Sequence, residues 1–309
     1  MKNKQSERLF SSLTDVDARF IEEAQTPVRS RKTYPFIKWG ALAACLCLVV
    51  GGALMWNNLR EQPAVDGGPV AVPGEGVVIP PVQVDLSADT AASMVPFFIY
   101  QGRCYTQYER LEKGAPLVGE YLGTATGLID EWTPESGYVE LAGSVQGDFY
   151  AVNGYDPAFM LCMRQGEEIA LYICNNGITL QEGADLYEDR LHLTENYSAV
   201  TYESRDSWYH SSGEIQPLDA AENSVLADFV TALNAAEFMA SSDVPLDAGE
   251  DSLADRELYH LYFELADGMT VHLRLCAGGY VRFEGILDVC VQIPQEVFDS
   301  LIQQLDVNA

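Results

Sequence analysis

The chain has 309 residues and a formal net charge of −28, with 46 Asp/Glu against 18 Lys/Arg. A surface this acidic argues against binding to nucleic acid or to anionic lipid. The charge is unevenly divided. Residues 1–38 carry eight Lys/Arg against five Asp/Glu, a net of +3, whereas residues 57–309 carry ten against 41, a net of −31.

The first predicted element is an amphipathic helix over residues 6–24. A single helix of this length is marginal in water, so we expect its apolar face to dock on a cytoplasmic partner. Its polar face mixes both signs of charge, which favours a protein over a lipid surface, and a solvated, frayed tail is the alternative. Five apolar residues recur at spacings of three and four and share or border this face: Leu9, Leu13, Val16, Phe20 and Ile21.

Residues 39–56 form an uncharged apolar run bracketed by Trp39 and Trp56. As a helix, the run spans about 27 Å, close to the hydrocarbon thickness of a bilayer. We predict a single transmembrane helix with a cytoplasmic N-terminus, because the basic flank precedes it. A cleaved signal peptide and a lipoprotein are alternatives, since residues 42–45 spell a lipobox. The long polar segment before the run disfavours a cleaved signal peptide. The lipobox lies at the start of the apolar run, whereas lipoprotein processing needs the apolar stretch before the cysteine, so a lipoprotein is also disfavoured.

The N-terminal sequence resembles that of a known group of membrane proteins. The similarity lies in residues 12–24 (SLTDVDARFIEEA), followed by a basic patch and residues 38–46 (KWGALAACL). It covers residues 1–56 well and the remainder loosely. The group comprises single-pass membrane proteins of clostridial-type Gram-positive bacteria, some of which are associated with extracytoplasmic-function sigma factors and treated as candidate anti-sigma factors. The resemblance implies that the inner helix holds a sigma factor. Residues 1–38 contain no His or Cys, so the zinc motif of better understood anti-sigma proteins is absent.

Residues 57–95 are rich in Pro and Gly and predict a linker without regular structure. Residues 96–309 then predict an acidic extracytoplasmic domain of the α+β class, an antiparallel sheet with a few packed helices. Two subdomains, 96–200 and 215–309, are the alternative to one domain. Strands are predicted over 97–105, 117–131, 147–152, 158–164 and 168–174. A helix is predicted over 222–239, with Asp219 and Glu222 forming a capping box. Residues 241–256 read as an acidic loop.

The C-terminal part predicts a four-stranded meander followed by a helix. Apolar residues occupy odd positions over 259–265, 271–275, 281–283 and 289–293. Odd residues pair with odd residues only across loops with an odd number of residues, and the three-residue loops 266–268 and 277–279 each end in glycine. A helix starting at Pro294 would then cover the apolar face.

The candidate site lies on the other face of this meander. The register places His260 opposite Arg274 and Tyr262 opposite His272. Two imidazoles on adjacent strands suit a metal ion or a proton relay. We favour the alternative, a polar sheet face exposed to solvent or to a covering loop. The aromatic segment 206–210 is read as a cap on the core rather than as a binding groove.

The remaining chemistry-bearing residues predict no enzyme, metal or cofactor. The sequence has no zinc-protease, nucleotide-binding or serine-hydrolase motif, and the carboxylates of 243–255 lack the spacing of a calcium loop. Five cysteines follow the apolar run and read as small apolar strand residues rather than as a disulfide framework: Cys104, Cys162, Cys174, Cys276 and Cys290.

Two functional hypotheses follow. The first is a membrane-anchored sensing and regulatory protein whose inner helix acts on a sigma factor. The second is a cell-surface binding or adhesion module whose inner segment has no signalling role. A hydrolase has no supporting motif.

Overall fold

The computed structural model describes residues 68–72, 74, 76–80, 95–127, 139–194, 196–219 and 223–308. The predicted inner helix with its five docking residues, the apolar run 39–56 and most of the linker lie outside the described residues. Within the described ranges, no helix is long and apolar enough to cross a membrane.

Strands predominate in the described part and the helices are few, which confirms the α+β class. The helices are α1 (Ala184–Tyr187), α2 (Arg205–His210), α3 (Ser224–Ala235) and α4 (Gln295–Asn308). The strands are β1 (Val70–Val72), β2 (Gly76–Ile79), β3 (Phe97–Tyr100), β4 (Arg103–Leu111), β5 (Val118–Thr126), β6 (Gln146–Val152), β7 (Met160–Gln165), β8 (Glu168–Cys174), β9 (Ile178–Leu180), β10 (Tyr197–Ser204), β11 (Gln216–Leu218), β12 (Phe238–Ala240), β13 (Glu257–Leu265), β14 (Thr270–Cys276), β15 (Tyr280–Phe283) and β16 (Ile286–Gln292).

The first sheet has the order β3-β4-β8-β7-β6-β5 and is closed by residues 139–144. Leu141 N–H donates to Ile99 O on one edge strand, and Thr126 N–H on the other edge strand donates to Leu141 O, both at 2.9 Å. Side chains from all six strands fill the interior, among them Phe98, Phe149 and Tyr172. The six strands thus curl into a small barrel with a packed interior, and residues 139–144 bridge one end of its two edge strands.

The second sheet has the order β11-β10-β13-β14-β15-β16-β12. Its centre is the predicted meander, and the predicted register is confirmed, with Leu261 paired to Leu273 and Leu275 to Val281. The odd residues face a large apolar core shared with α3, α4 and one face of the first sheet. The sequence pattern does not predict the flanking strands β10, β11 and β12.

A small third sheet, β1-β2-β9, corrects one expectation about the linker. Residues 70–72 and 76–79 form strands, and Val77 pairs with Leu180 of β9. Val77 and Ile79 are buried in the main core. Burial of two apolar residues at alternate positions therefore accompanies strand formation in a stretch whose Pro and Gly content predicts no regular structure.

Helix α4 begins after Pro294 as predicted, and Phe298, Leu301 and Leu305 are buried against the sheet. Helix α3 is shorter than predicted. It begins after Asn223, whose side chain accepts from Leu226 N–H at 3.1 Å, so the predicted capping box of Asp219 and Glu222 is wrong. It ends at Ala235 because the next residues join the second sheet as β12.

Candidate functional site

The polar face of the second sheet brings the four sequence candidates together. His260 pairs with Arg274 and Tyr262 with His272 in the β13–β14 register, as predicted. The expectation that this face is exposed to solvent is wrong for His260 and Arg274, whereas Tyr262 and His272 are partly exposed and Glu264 is exposed. His260 is 0% exposed and Arg274 8% exposed. A helix and the neighbouring barrel cover this part of the face, which makes it a buried polar cluster.

Five side chains form a closed ring, here called the histidine–glutamate ring. His260 Nδ1 lies 2.8 Å from His272 Nε2. The outer nitrogen of each imidazole faces a carboxylate, His260 Nε2 at 3.8 Å from Glu257 Oε2 and His272 Nδ1 at 4.0 Å from Glu284 Oε2. Arg274 closes the ring, because Nη1 donates to Glu257 Oε1 at 2.8 Å and Nε donates to Glu284.

Both imidazoles of the ring are held neutral. The pKa of His260 is lowered to about 3 by burial, then by His272, Arg274 and Arg205. The pKa of His272 is lowered to about 3 by burial and by Arg274. The carboxylates do not rescue the charged form, since Arg274 already neutralises them and Arg282 also reaches Glu257 at 3.4 Å.

Helix α2 covers the ring. The indole of Trp208 stacks on the imidazole of His260, with ring centroids 4.5 Å apart and planes inclined by 13°. The guanidinium carbon of Arg274 lies 4.7 Å from the Trp208 centroid, within cation–π range. Ser204 caps the start of α2 by accepting from Ser207 N–H at 3.2 Å, and Ser211 ends it with a φ of 52°.

A second set of polar contacts fastens α2 to the sheet. Ser207 Oγ donates to Glu203 Oε2 and Tyr262 Oη donates to Glu203 Oε1, both at 2.7 Å. Glu203, on β10, is 6% exposed. Its carboxylate therefore joins the cover helix to β13, and two hydroxyl donors replace the water that its charge would otherwise need.

The first sheet closes the site from the side of β4. Tyr108 Oη donates to Thr270 O at 2.6 Å and accepts from His272 N–H at 3.2 Å. Glu109 accepts from Thr270 N–H at 2.9 Å. Burial raises the pKa of Glu109. A bulge between Gln107 and Glu109 interrupts the alternation of β4, which lets neighbouring side chains both contact β14.

An open depression of about 230 Å³ borders the buried ring. Tyr262 lines it and also contacts the ring, because its aromatic ring lies 4.4 Å from the His272 ring centroid. The other lining residues are mostly small or polar: Ala199, Thr201, Glu264, Gly268 and Thr270. The depression is the part of this face that a small ligand could reach.

The chemistry of the described residues offers no metal site or nucleophile here. No group of three or more His, Cys, Asp or Glu side chains in the described ranges is placed to hold a metal ion. All five described cysteines are free and buried. Burial raises the pKa of Cys104 and Cys276 to about 12 and of Cys162 and Cys290 to about 11, so these thiols stay protonated.

The acidic segment 241–256 is more ordered than predicted. It contains two short 3₁₀ helices, Ser241–Asp243 and Leu253–Arg256. Arg256 pairs with Asp247 at 3.1 Å and with Glu250 at 2.6 Å. Asp255 completes a capping box with Ser252. These carboxylates thus hold the segment itself together.

Comparisons with models of protein families, with curated proteins and with solved structures found no match. The chemistry of the site has to be read from its own geometry.

Sequence reasoning placed the four strand residues and missed four that enclose them: Tyr108, Glu203, Glu257 and Glu284. Trp208 belongs to the segment 206–210 that was expected to cap the core, and it caps the polar face of the sheet instead. Glu284 follows the even parity of the polar face and could have been found from the register. Glu257 breaks that parity, because a bulge between it and Tyr259 turns the odd residue to the polar face.

Proposed function

We propose that this protein is a membrane-anchored regulator with an extracytoplasmic sensing domain. Residues 39–56 cross the membrane once, residues 1–38 lie in the cytoplasm, and the α+β domain lies outside. The apolar face of the inner helix docks a sigma factor. The observation that carries the proposal is the division of charge, +3 before the uncharged run and −31 after it.

The site supports a sensing role better than a catalytic one. Its imidazoles are buried and neutral, and its carboxylates are neutralised by arginine. Catalysis requires reactive groups within reach of a substrate. A buried ionisable cluster under a short helix instead provides two states that differ in protonation or packing.

The inner helix supplies the direct test. Leu13→Asp with Phe20→Asp places two charges on the apolar face, and Ser11→Asp with Ala18→Asp places the same charges on the opposite face. Crosslinking pull-down of the full chain from its native cells should recover a sigma factor with wild type and with the control variant, and not with the L13D/F20D variant. Recovery of no sigma factor with wild type contradicts the proposal.

A binding or adhesion module is the second candidate, and the open depression beside Tyr262 favours it. In that case Thr201→Arg, which fills the depression, abolishes surface binding, whereas L13D/F20D leaves transcription unchanged. The regulator predicts a transcriptional change with L13D/F20D. The two variants together separate the candidates.

A further inference from the structure

The histidine–glutamate ring has the geometry of a two-state element. A bond of 2.8 Å between His260 Nδ1 and His272 Nε2 requires one nitrogen to donate and the other to accept. When both rings are protonated, both nitrogens are donors, the bond is lost, and two positive charges face each other beside Arg274. The closed arrangement therefore excludes the doubly protonated pair.

The groups around the pair do not compensate added charge. Arg274 and Arg282 already bind Glu257, and Arg274 also binds Glu284. Among the described residues, His260 Nε2 has no hydrogen-bond partner, and at 3.8 Å Glu257 is too distant to be one. The other charged or titratable groups on the surrounding elements are Arg205 of α2, Glu203 of β10, Tyr262 of β13 and Tyr108 with Glu109 of β4.

Helix α2 has few buried contacts, so displacing it from the sheet costs little free energy. Of its six residues only Ser207 is buried, and the following residues 211–217 are all exposed. Its attachment to the sheet includes the contacts of Trp208 with His260 and Arg274 and the Ser207–Glu203–Tyr262 bonds. Short elements with few buried contacts open locally well below the free energy of global unfolding. Lifting α2 would admit water to His260.

We propose that α2 is an acid-sensitive latch: protonation of the His260–His272 pair displaces Trp208 and releases α2 from the polar face of the second sheet. Acidification is then the signal that this domain senses. The inference rests on the proposed sensing function, and it names the proton as the ligand of the site.

The size of the effect follows from linkage. Each imidazole has a pKa of about 3 in the closed state and returns to about 6.5 when hydrated. The equilibrium constant for opening then rises as pH falls from 7 to 5, by up to roughly 25-fold for His260 and by about 150-fold for the pair, because screening near the partly exposed His272 reduces its share. Glu109, whose pKa is raised by burial, responds in the opposite sense and lies on β4, away from α2.

Amide hydrogen exchange of the full chain at pH 7 and pH 5 tests the latch. After correction for the intrinsic rate, the protection factors of α2 should fall by about 150-fold, while those of β7 and β8 in the barrel fall far less. His260→Gln with His272→Gln should reduce the fall in α2 to less than threefold, and His210→Gln, on the exposed side of α2, should leave it unchanged. Equal loss of protection in α2 and β8 would show global unfolding and overturn the proposal.

A second variant covers misfolding of the double glutamine variant. Trp208→Leu removes the stack and keeps both histidines, so α2 should be weakly protected already at pH 7, with little further loss at pH 5. If α2 in this variant is as well protected as in wild type, Trp208 is not the latch. Both measurements are made without a partner, so a positive result together with an empty pull-down would refute the sigma-factor role and retain the latch.

Discussion

Replacing Arg274 with Met should change how stability depends on pH. Arg274 lowers the pKa of both histidines and neutralises Glu257 and Glu284. In wild type the pKa values of the histidines are depressed in the folded state. The unfolded chain therefore binds more protons, and stability is lost as pH falls below 6.5. With Met, the two carboxylates are left to pair with imidazolium instead, so the depression shrinks.

The magnitude can be worked from the burial and the pKa values. Because the pKa of each histidine shifts from 6.5 to about 3 on folding, acidification from pH 7 to pH 5 lowers the stability by up to about 2 kcal/mol for each histidine. Screening near the partly exposed His272 reduces the total for the pair to about 3 kcal/mol. In Arg274→Met, the loss of unfolding free energy between pH 7 and pH 5 should be less than half as large as in wild type. At pH 7 the variant should also be less stable by about 3 kcal/mol, because it leaves buried charge unpaired.

Urea unfolding of the full chain at pH 7, 6 and 5, followed by circular dichroism, measures both effects. Arg110→Met is the matched control, since Arg110 is exposed and, within the part of the chain that the structure describes, its side chain bonds only to Gln107 and Gln165. It should change stability by less than about 0.5 kcal/mol at every pH. A pH dependence in Arg274→Met as steep as that of wild type would refute the reasoning.

Three further substitutions test the packing by urea unfolding at pH 7. Trp208→Ala should destabilise by about 2–3 kcal/mol through loss of the stacked cover, whereas Tyr209→Ala, at a residue that is 67% exposed, should cost less than about 0.5 kcal/mol. Tyr108→Phe should cost about 1–2 kcal/mol, because Thr270 O and His272 N–H lose their partner, and an unchanged stability would contradict the bridge between the sheets. Asn223→Ala should cost about 1 kcal/mol if Asn223 caps α3, and no loss would contradict that cap.

The sequence predicted the meander because two local signals agree. Apolar residues alternate over four strands, and three-residue loops such as 266–268 preserve the parity between them. Only one register satisfies both, and the pairing of His260 with Arg274 and of Tyr262 with His272 follows from it.

The remainder of the site depends on contacts between residues far apart in sequence. Trp208 contacts His260 because β10 pairs with β13, and no local sequence pattern predicts that pairing. Bulges turn Glu257 and Glu109 to the side of the strand that simple alternation does not predict. A bulge inserts one extra residue into a strand and has no fixed sequence signal. A polar sheet face was therefore read as exposed, although tertiary contacts bury it.

The most direct test of a neutral, latched histidine pair is a nuclear magnetic resonance titration of the His260 and His272 imidazoles in the full chain from pH 8 to pH 4. The structure predicts that neither ring takes up a proton above pH 5 while α2 stays closed, and that the onset of protonation coincides with the loss of α2 protection. A midpoint near 6.5 with α2 still protected would contradict it.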